Sequence, residues 1–225
     1  MTFKLLMAGG VVAMIAMMCF TGRYYQLPVW KRILLGLAST GAGLLGTKIL
    51  SWIESGNFNG RSFFGVVFFA PIMLMLFAWI IRMKIPDMLD MCAPAECLIL
   101  AFMKVNCIIS DCCIGMVLYQ TKYGKDIRFP SQIVECLTAV LLMVVLMFML
   151  IKKIGRGKLY AWYMILYGIV RFALNLLRET KPFVWILPAG NFWSLISIII
   201  GVIIIVAGNK ISDKIHHMFE GSAVA

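Results

Sequence analysis

Two short stretches of this sequence carry groups able to hold phosphate or move protons, and both lie in segments apolar enough to belong in lipid. At 128–135 the order is Arg-Phe-Pro-Ser-Gln-Ile-Val-Glu, so Gln132 and Glu135, three apart at the start of a helix, share a face. Pro130 suits the first turn of that helix, where its missing N–H costs nothing. An amide and a carboxylate facing a bundle interior can hold a polar headgroup or orient a cation. The same pair fits a capping arrangement with Glu135 as a satisfied buried acid, and the spacing does not separate the two readings. At 167–172 the order Tyr-Gly-Ile-Val-Arg-Phe sets Tyr167 and Arg171 on one helix face, with Asn175 and Arg178 continuing the stripe. A guanidinium beside a phenol suits a phosphate diester, because it offers a planar fork of donors. The competing reading pairs Arg171 with Glu96 or Glu135 for structure alone; its depth and its polar company favour function. Lys104 adds another cation inside an apolar run. A charge at membrane depth costs roughly 3 kcal/mol on insertion scales, so such residues mark a site.

The elements that must position these groups are membrane helices. The chain is 62% hydrophobic with a mean hydropathy of +0.94 and 14% charged residues, far from a soluble average. Seven candidate spans follow, at 5–20, 33–53, 62–81, 88–109, 130–151, 159–177 and 192–208. The fourth is the weakest, interrupted by Asp87, Asp90, Glu96 and Lys104, and by hydropathy alone a re-entrant or interfacial piece lining a cavity is its alternative. No small-residue cleavage site follows Phe20, where Arg23-Tyr24-Tyr25 stands instead, so the first span reads as a retained helix. With no internal repeat or linker, residues 1–225 read as a single polytopic domain. The expected fold is an all-α integral membrane protein of about seven transmembrane helices enclosing a polar lipid-headgroup chamber.

Charge sets the expected orientation. Loops one, three and five with the C-terminal tail hold eleven of the 21 Lys and Arg, the opposite side seven, and the spans three (Lys48, Lys104 and Arg171). The more basic side faces the cytoplasm, which places the N-terminus outside and the C-terminus inside. The net charge of +11 is therefore loop charge facing anionic headgroups, and no soluble basic face exists to bind nucleic acid. Of seven cysteines, Cys19, Cys92, Cys97, Cys107 and Cys136 lie on apolar stretches and read as small hydrophobes. Cys112 and Cys113 adjoin Asp111, but chain neighbours are poorly placed to ligate one tetrahedral ion. There is no CxxC pair, and the histidines, His216 and His217, are in the tail. No metal or other cofactor is expected.

At these residues the chain resembles the prolipoprotein diacylglyceryl transferases and their shorter relatives. Residues 128–135 are similar to the family's Arg/His-Tyr-Pro-Ser/Thr-Gln-Leu-Tyr-Glu, and 167–172 with Leu177, Arg178 and Glu179 to its Tyr-Gly-x-x-Arg-Phe-x-x-Glu-x-x-Arg. Residues 106–115 resemble the Gly-Cys-Phe-x-x-Gly-Cys-Cys-Tyr-Gly of shorter members. Gly46-Thr47-Lys48 is similar to Gly-Ala-Arg/Lys, and 60–65 to Gly-Gly-x-Ser-Phe-His-Gly. Five motifs in the family's order over 46–208 are specific together, though none is decisive alone. The departures are chemical: Phe64 stands at the family's histidine, Lys104 at an arginine, Cys112 at an acid and Asn175 at a glutamate. Phospholipid binding is thus retained better than proton transfer.

The resemblance implies transfer of a diacylglyceryl group from phosphatidylglycerol, or a similar anionic phospholipid, to the lipobox cysteine of a protein precursor in a bacterial inner membrane. It implies Arg171, Lys104, Glu135 and Tyr167 as catalytic residues, and Arg128, Gln132, Lys48, Asn106, Asp111 and Arg178 as substrate-binding ones. Glu135 or Asp111 is the expected base for the incoming thiol. Two alternatives remain open: a relative that uses another acceptor, and a phospholipid-binding membrane protein without chemistry.

Overall fold

The computed structural model of the chain describes residues 2–56, 62–81, 83–113, 115–120, 126–178, 182–184 and 187–222. Seven helices follow the apolar runs: α1 (Thr2–Thr21), α2 (Val29–Ser55), α3 (Phe64–Ile81), α4 (Ile85–Ile109), α5 (Ser131–Ile151), α6 (Leu159–Leu176) and α7 (Ala189–Ser222). Between α4 and α5 lies a short antiparallel hairpin of β1 (Val117–Gln120) and β2 (Asp126–Arg128). A second, of β3 (Pro182–Val184) and β4 (Leu187–Pro188), lies between α6 and α7. The protein is an all-α integral membrane protein. Helices α2, α4, α5 and α6 and the Ala189–Gly208 part of α7 are long and apolar enough to cross a bilayer, while α1 and α3 are apolar over the shorter stretches Leu5–Thr21 and Phe64–Ala78. Pro130 caps α5 instead of entering its first turn, and α7 runs past the expected end of the last span to Ser222.

Helix α4 was the weakest of the expected spans. It is the expected fourth span and not the re-entrant or interfacial alternative: one continuous helix, the most enclosed of the five long spans. The reason is that its polar groups face protein. Met88, Met91, Cys92, Ala93 and Cys97 have no exposed surface, and Glu96 beside them accepts hydrogen bonds from the Tyr160 hydroxyl at 3.1 Å and the Cys92 thiol at 3.2 Å. Helices α1 and α5 pack on it from two directions. By contrast α5 turns Ile133, Leu137, Leu141, Val144 and Phe148 outward, a face suited to hydrocarbon.

Near one end of this bundle, Asp90 of α4 caps α6. Its carboxylate accepts the N–H of Gly157, just before the helix, at 2.5 Å and of Leu159 at 2.8 Å, the latter a donor that the start of a helix otherwise leaves unpaired. The hydroxyl of Tyr25 approaches at 3.5 Å, and burial, with Asp90 and Asp87 alongside, pushes that phenol up from its ordinary value. Arg156 reaches both oxygens of Asp87, at 3.1 and 3.3 Å.

Helix–helix contact in lipid gains little from excluding water, so close approach relies on small residues. Helices α2 and α3 cross at Gly46 and Gly65, where a Cβ on either would run into the other's backbone. The N–H of Ser62 donates to Thr47 O at 3.3 Å beside the crossing. Two motifs separate in sequence, Gly46-Thr47-Lys48 and the stretch ending at Gly65, are therefore the two sides of one contact. Gly60 and Arg61 of the second motif lie outside the described residues.

Candidate active site

Five residues into α5, Glu135 is the convergence point of three cations. The Lys104 ammonium on α4 pairs with Oε2, as does Nη1 of Arg171 on α6 at 2.5 Å. Just past the end of α6, Nη1 of Arg178 donates to Oε1 at 3.2 Å. Arg171 and Arg178 are seven residues apart, two turns of one helical face. The four side chains are only 4 to 18% exposed. Three positive charges on one carboxylate leave a surplus that a buried structural pair would not carry. Arg171 is thus paired with Glu135, within a cluster that carries more positive than negative charge.

This cluster borders a cavity of about 360 Å³ lined by Lys104, Asn106, Arg171, Arg178, Glu54 and Cys113, with Phe63 and Phe64 as an apolar wall. Glu54, near the C-terminus of α2, accepts the Ser62 hydroxyl at 2.7 Å. Counting Glu54 as an anion, the five charged residues still sum to one positive charge. Two buried atoms of the lining, Asn106 Oδ1 and Arg178 Nε, have no hydrogen-bond partner among the described residues. A cavity with surplus positive charge and idle polar atoms suits an anionic ligand. Separately, between α2, α3, α6 and α7, Leu50, Phe68, Met75, Tyr160, Trp193 and Ile200 line an almost wholly apolar slot of about 430 Å³.

Tyr167, 4% exposed, stands behind Arg171 and shares a small pocket with it and Glu135. Its ring packs on Phe64 at 5.3 Å, Phe63 at 5.5 Å and Tyr163 at 5.8 Å between centroids. Phe64 is thus part of an aromatic wall and offers no proton. Asn175 is also buried, with its amide against Gly190 at the start of α7, where a Cβ would collide with it.

The structure therefore brings Lys104, Asn106, Glu135, Tyr167, Arg171 and Arg178 together. It does not bring the other expected residues to the cavity wall. Gln132 donates to the Cys112 carbonyl at 2.8 Å and Ser131 to the Cys113 carbonyl at 2.7 Å, so the start of α5 is tied to the turn after α4. Arg128 lies on β2 with Asp126 at 3.7 Å, and Lys48 is half-buried on α2. Asp111 takes a left-handed conformation (φ 47°) at the position ending α4, where glycine is usual.

That turn holds what the sequence reading missed. The N–H of Cys112 bonds back to Cys107 O at 3.1 Å and that of Asp111 to Ile108 O at 3.4 Å, the paired bonds of a Schellman helix end. This motif places its third-from-last and second-following residues side by side, and here both are cysteines. Cys113, also left-handed at φ 62°, brings its thiol to the same place. The Sγ atoms of Cys107, Cys112 and Cys113 all lie within 4.8 Å of one another. A hydrogen bond from the Cys107 thiol holds the Cys113 thiol below the usual thiol range, with Lys104 and Arg178 acting in the same sense. The Cys-x4-Cys spacing with a left-handed-tolerant Asp between was the available signal.

Comparison with known proteins agrees with the motifs. The prolipoprotein diacylglyceryl transferase family model matches residues 36–207. The chain belongs to this family. Relatives named phosphatidylglycerol–prolipoprotein diacylglyceryl transferase include one from Clostridium tetani, 26% identical over 160 residues, which cover 65% of this chain and 63% of that protein. One from Campylobacter hominis is 28% identical over 64% of this chain and 54% of its own length. One from Dehalococcoides mccartyi is 22% identical over 89% of this chain and 86% of its own. The chain thus spans less than two thirds of the first two relatives. Membership in the diacylglyceryl transferase family and the apolar helices make it a multi-pass membrane protein.

Proposed function

We propose that this family member transfers a diacylglyceryl group from phosphatidylglycerol to a cysteine thiol of a lipobox-bearing precursor. The observation that carries this is the surplus positive charge of the Lys104, Arg171 and Arg178 cluster facing a cavity. In the reaction the acceptor sulfur attacks the glyceryl carbon that bears the phosphate ester. The carbon–oxygen bond breaks, and the electron pair leaves with glycerol phosphate. A thioether forms, and the thiol proton is given up. Negative charge grows on the departing phosphate, where fixed cations lower the barrier without reorganising.

In this scheme Arg171 is the bidentate clamp and Arg178 the second guanidinium, with Lys104 a point charge where the family has a fork. Glu135 positions all three; both its oxygens are engaged, so its first role is to hold cations. Tyr167 backs Arg171, Asn106 accepts from the headgroup hydroxyls, and the apolar slot suits an acyl chain. We place the enzyme in a bacterial inner membrane with its N-terminus outside, as loop charge suggests. A second reading, lipid binding without chemistry, is favoured by Phe64 in place of an ionisable group. Mass spectrometry of a lipobox peptide incubated with the purified protein and phosphatidylglycerol separates them. A diacylglyceryl mass gain on the cysteine, absent with Arg171→Ala, supports the transferase; bound, intact phosphatidylglycerol with no gain supports the binder.

A further inference from the structure

The transferase reading leaves the acceptor thiol without a base among the residues expected to supply one, since Phe64 cannot take a proton, Glu135 is occupied by its cations and Asp111 is not on the cavity wall. The turn after α4 offers a different route to a thiolate. From the convergence of Cys107, Cys112 and Cys113 at the wall of the cation-lined cavity, we propose that these thiols bind one zinc ion, whose open fourth position takes the acceptor thiol.

The geometry fits. Zinc–sulfur bonds of roughly 2.3 Å at tetrahedral angles put sulfurs roughly 3.8 Å apart. The three Sγ atoms already lie within 4.8 Å of one another, so a small side-chain closure completes the set. Local structure holds them there: the Schellman bonds fix Cys107 beside Cys112, and Ser131 and Gln132 anchor the carbonyls of Cys113 and Cys112. Sequence proximity argued against two adjacent ligands, but the left-handed backbone at Cys113 lets both side chains reach one point. All three residues line the cavity that Lys104, Arg171 and Arg178 border. Three thiolates and a dication carry one net negative charge, and the neighbouring cations offset it.

Three protein ligands with a vacancy is the arrangement of catalytic zinc, whereas structural sites close with four. Cys112 and Cys113 are exposed and Cys107 half-buried, so the open position can be reached from outside the cavity. A thiol that coordinates zinc loses its proton outright, which removes the need for a side-chain base. The acceptor thiol binds zinc and releases one proton to solvent. The bound sulfur then attacks the glyceryl carbon and glycerol phosphate departs with the electron pair. The neutral thioether leaves the metal, which is neither oxidised nor reduced. This step rests on the transferase reading; the metal site itself does not.

The test is metal content and cobalt spectroscopy on the full-length protein in detergent, both read without turnover. After zinc-replete expression the wild type retains about one zinc per chain, with about a tenfold loss in Cys107→Ser and Cys112→Ala and none in the distant Cys19→Ser. Cys112→His, which restores a ligand, retains the metal; that separates loss of coordination from misfolding. Cobalt(II) in place of zinc gives a thiolate charge-transfer band that shifts when a lipobox peptide is added but not its serine counterpart. A zinc-free wild type with no cobalt–thiolate band, or a Cys107–Cys113 disulfide in the purified protein, overturns the site. A band indifferent to the peptide thiol overturns the open position. Peptide alkylation undiminished in zinc-free protein overturns the role of the metal and leaves the transferase standing. Zinc bound with a peptide-responsive band but no alkylation supports the metal site and refutes the transferase.

Discussion

Asp90 and Glu135 are both buried carboxylates of the same bundle, and they are satisfied in opposite ways. Asp90 takes backbone N–H donors from Gly157 and Leu159, whose positions are fixed by the helix they begin. Glu135 takes Lys104, Arg171 and Arg178, long side chains whose ends can re-aim. A carboxylate held by backbone dipoles is a strut. One held by surplus, movable cations is a place where an anion can compete for partners. Both acids are buried and satisfied, so burial alone does not distinguish structure from site; the kind of partner does.

Substitutions at the two acids and their partners should therefore separate activity from stability. The largest effect expected is at Arg171: Arg171→Lys keeps the charge, loses the fork, and lowers turnover by about 10²- to 10³-fold while the protein still inserts. Glycerol phosphate release from labelled phosphatidylglycerol measures it, and unchanged release would remove Arg171 from the clamp. Glu135→Ala strands three cations and should cost about 3–5 kcal/mol of stability, seen in denaturant unfolding in micelles, with turnover falling too. Asp90→Ala loses the cap of α6 and should cost about 1–2 kcal/mol, with turnover per folded molecule unchanged. A loss of turnover at Asp90 beyond the unfolded fraction would break the distinction drawn above. Arg156→Ala, at an exposed ion pair near the Asp90 end, should leave both readouts within error.

Much of the fold was legible because lipid leaves few choices: an apolar run of about 20 residues must be a helix with its backbone bonds closed internally. All seven expected spans correspond to helices, and α4 was the weakest of them because hydropathy cannot tell a polar residue facing lipid from one facing Tyr160. In the site, Lys104, Glu135 and Arg171 were legible from charge at depth, and Arg178 from the helical stripe that Arg171 begins. Gln132 and Arg128 were less so, since a motif shared with a family does not say which members touch a ligand and which hold a turn. The cysteine triad was illegible to a spacing rule written for extended loops, because it depends on a helix ending in a left-handed residue at Asp111.

The crossing of α2 and α3 carries a consequence for repair. At most packing contacts a residue grown too large can be accommodated by shrinking its neighbour. Gly46 and Gly65 meet with no side chain on either side, so neither has anything left to give up. An alanine at one position cannot be rescued by any substitution at the other. A suppressor of Gly46→Ala would have to come from elsewhere along α2 or α3, by letting one whole helix move away from the other, and that movement would carry Glu54 and Ser62 with it. The defect would then surface at the cavity as a change in substrate affinity, in a variant whose altered residue touches no ligand.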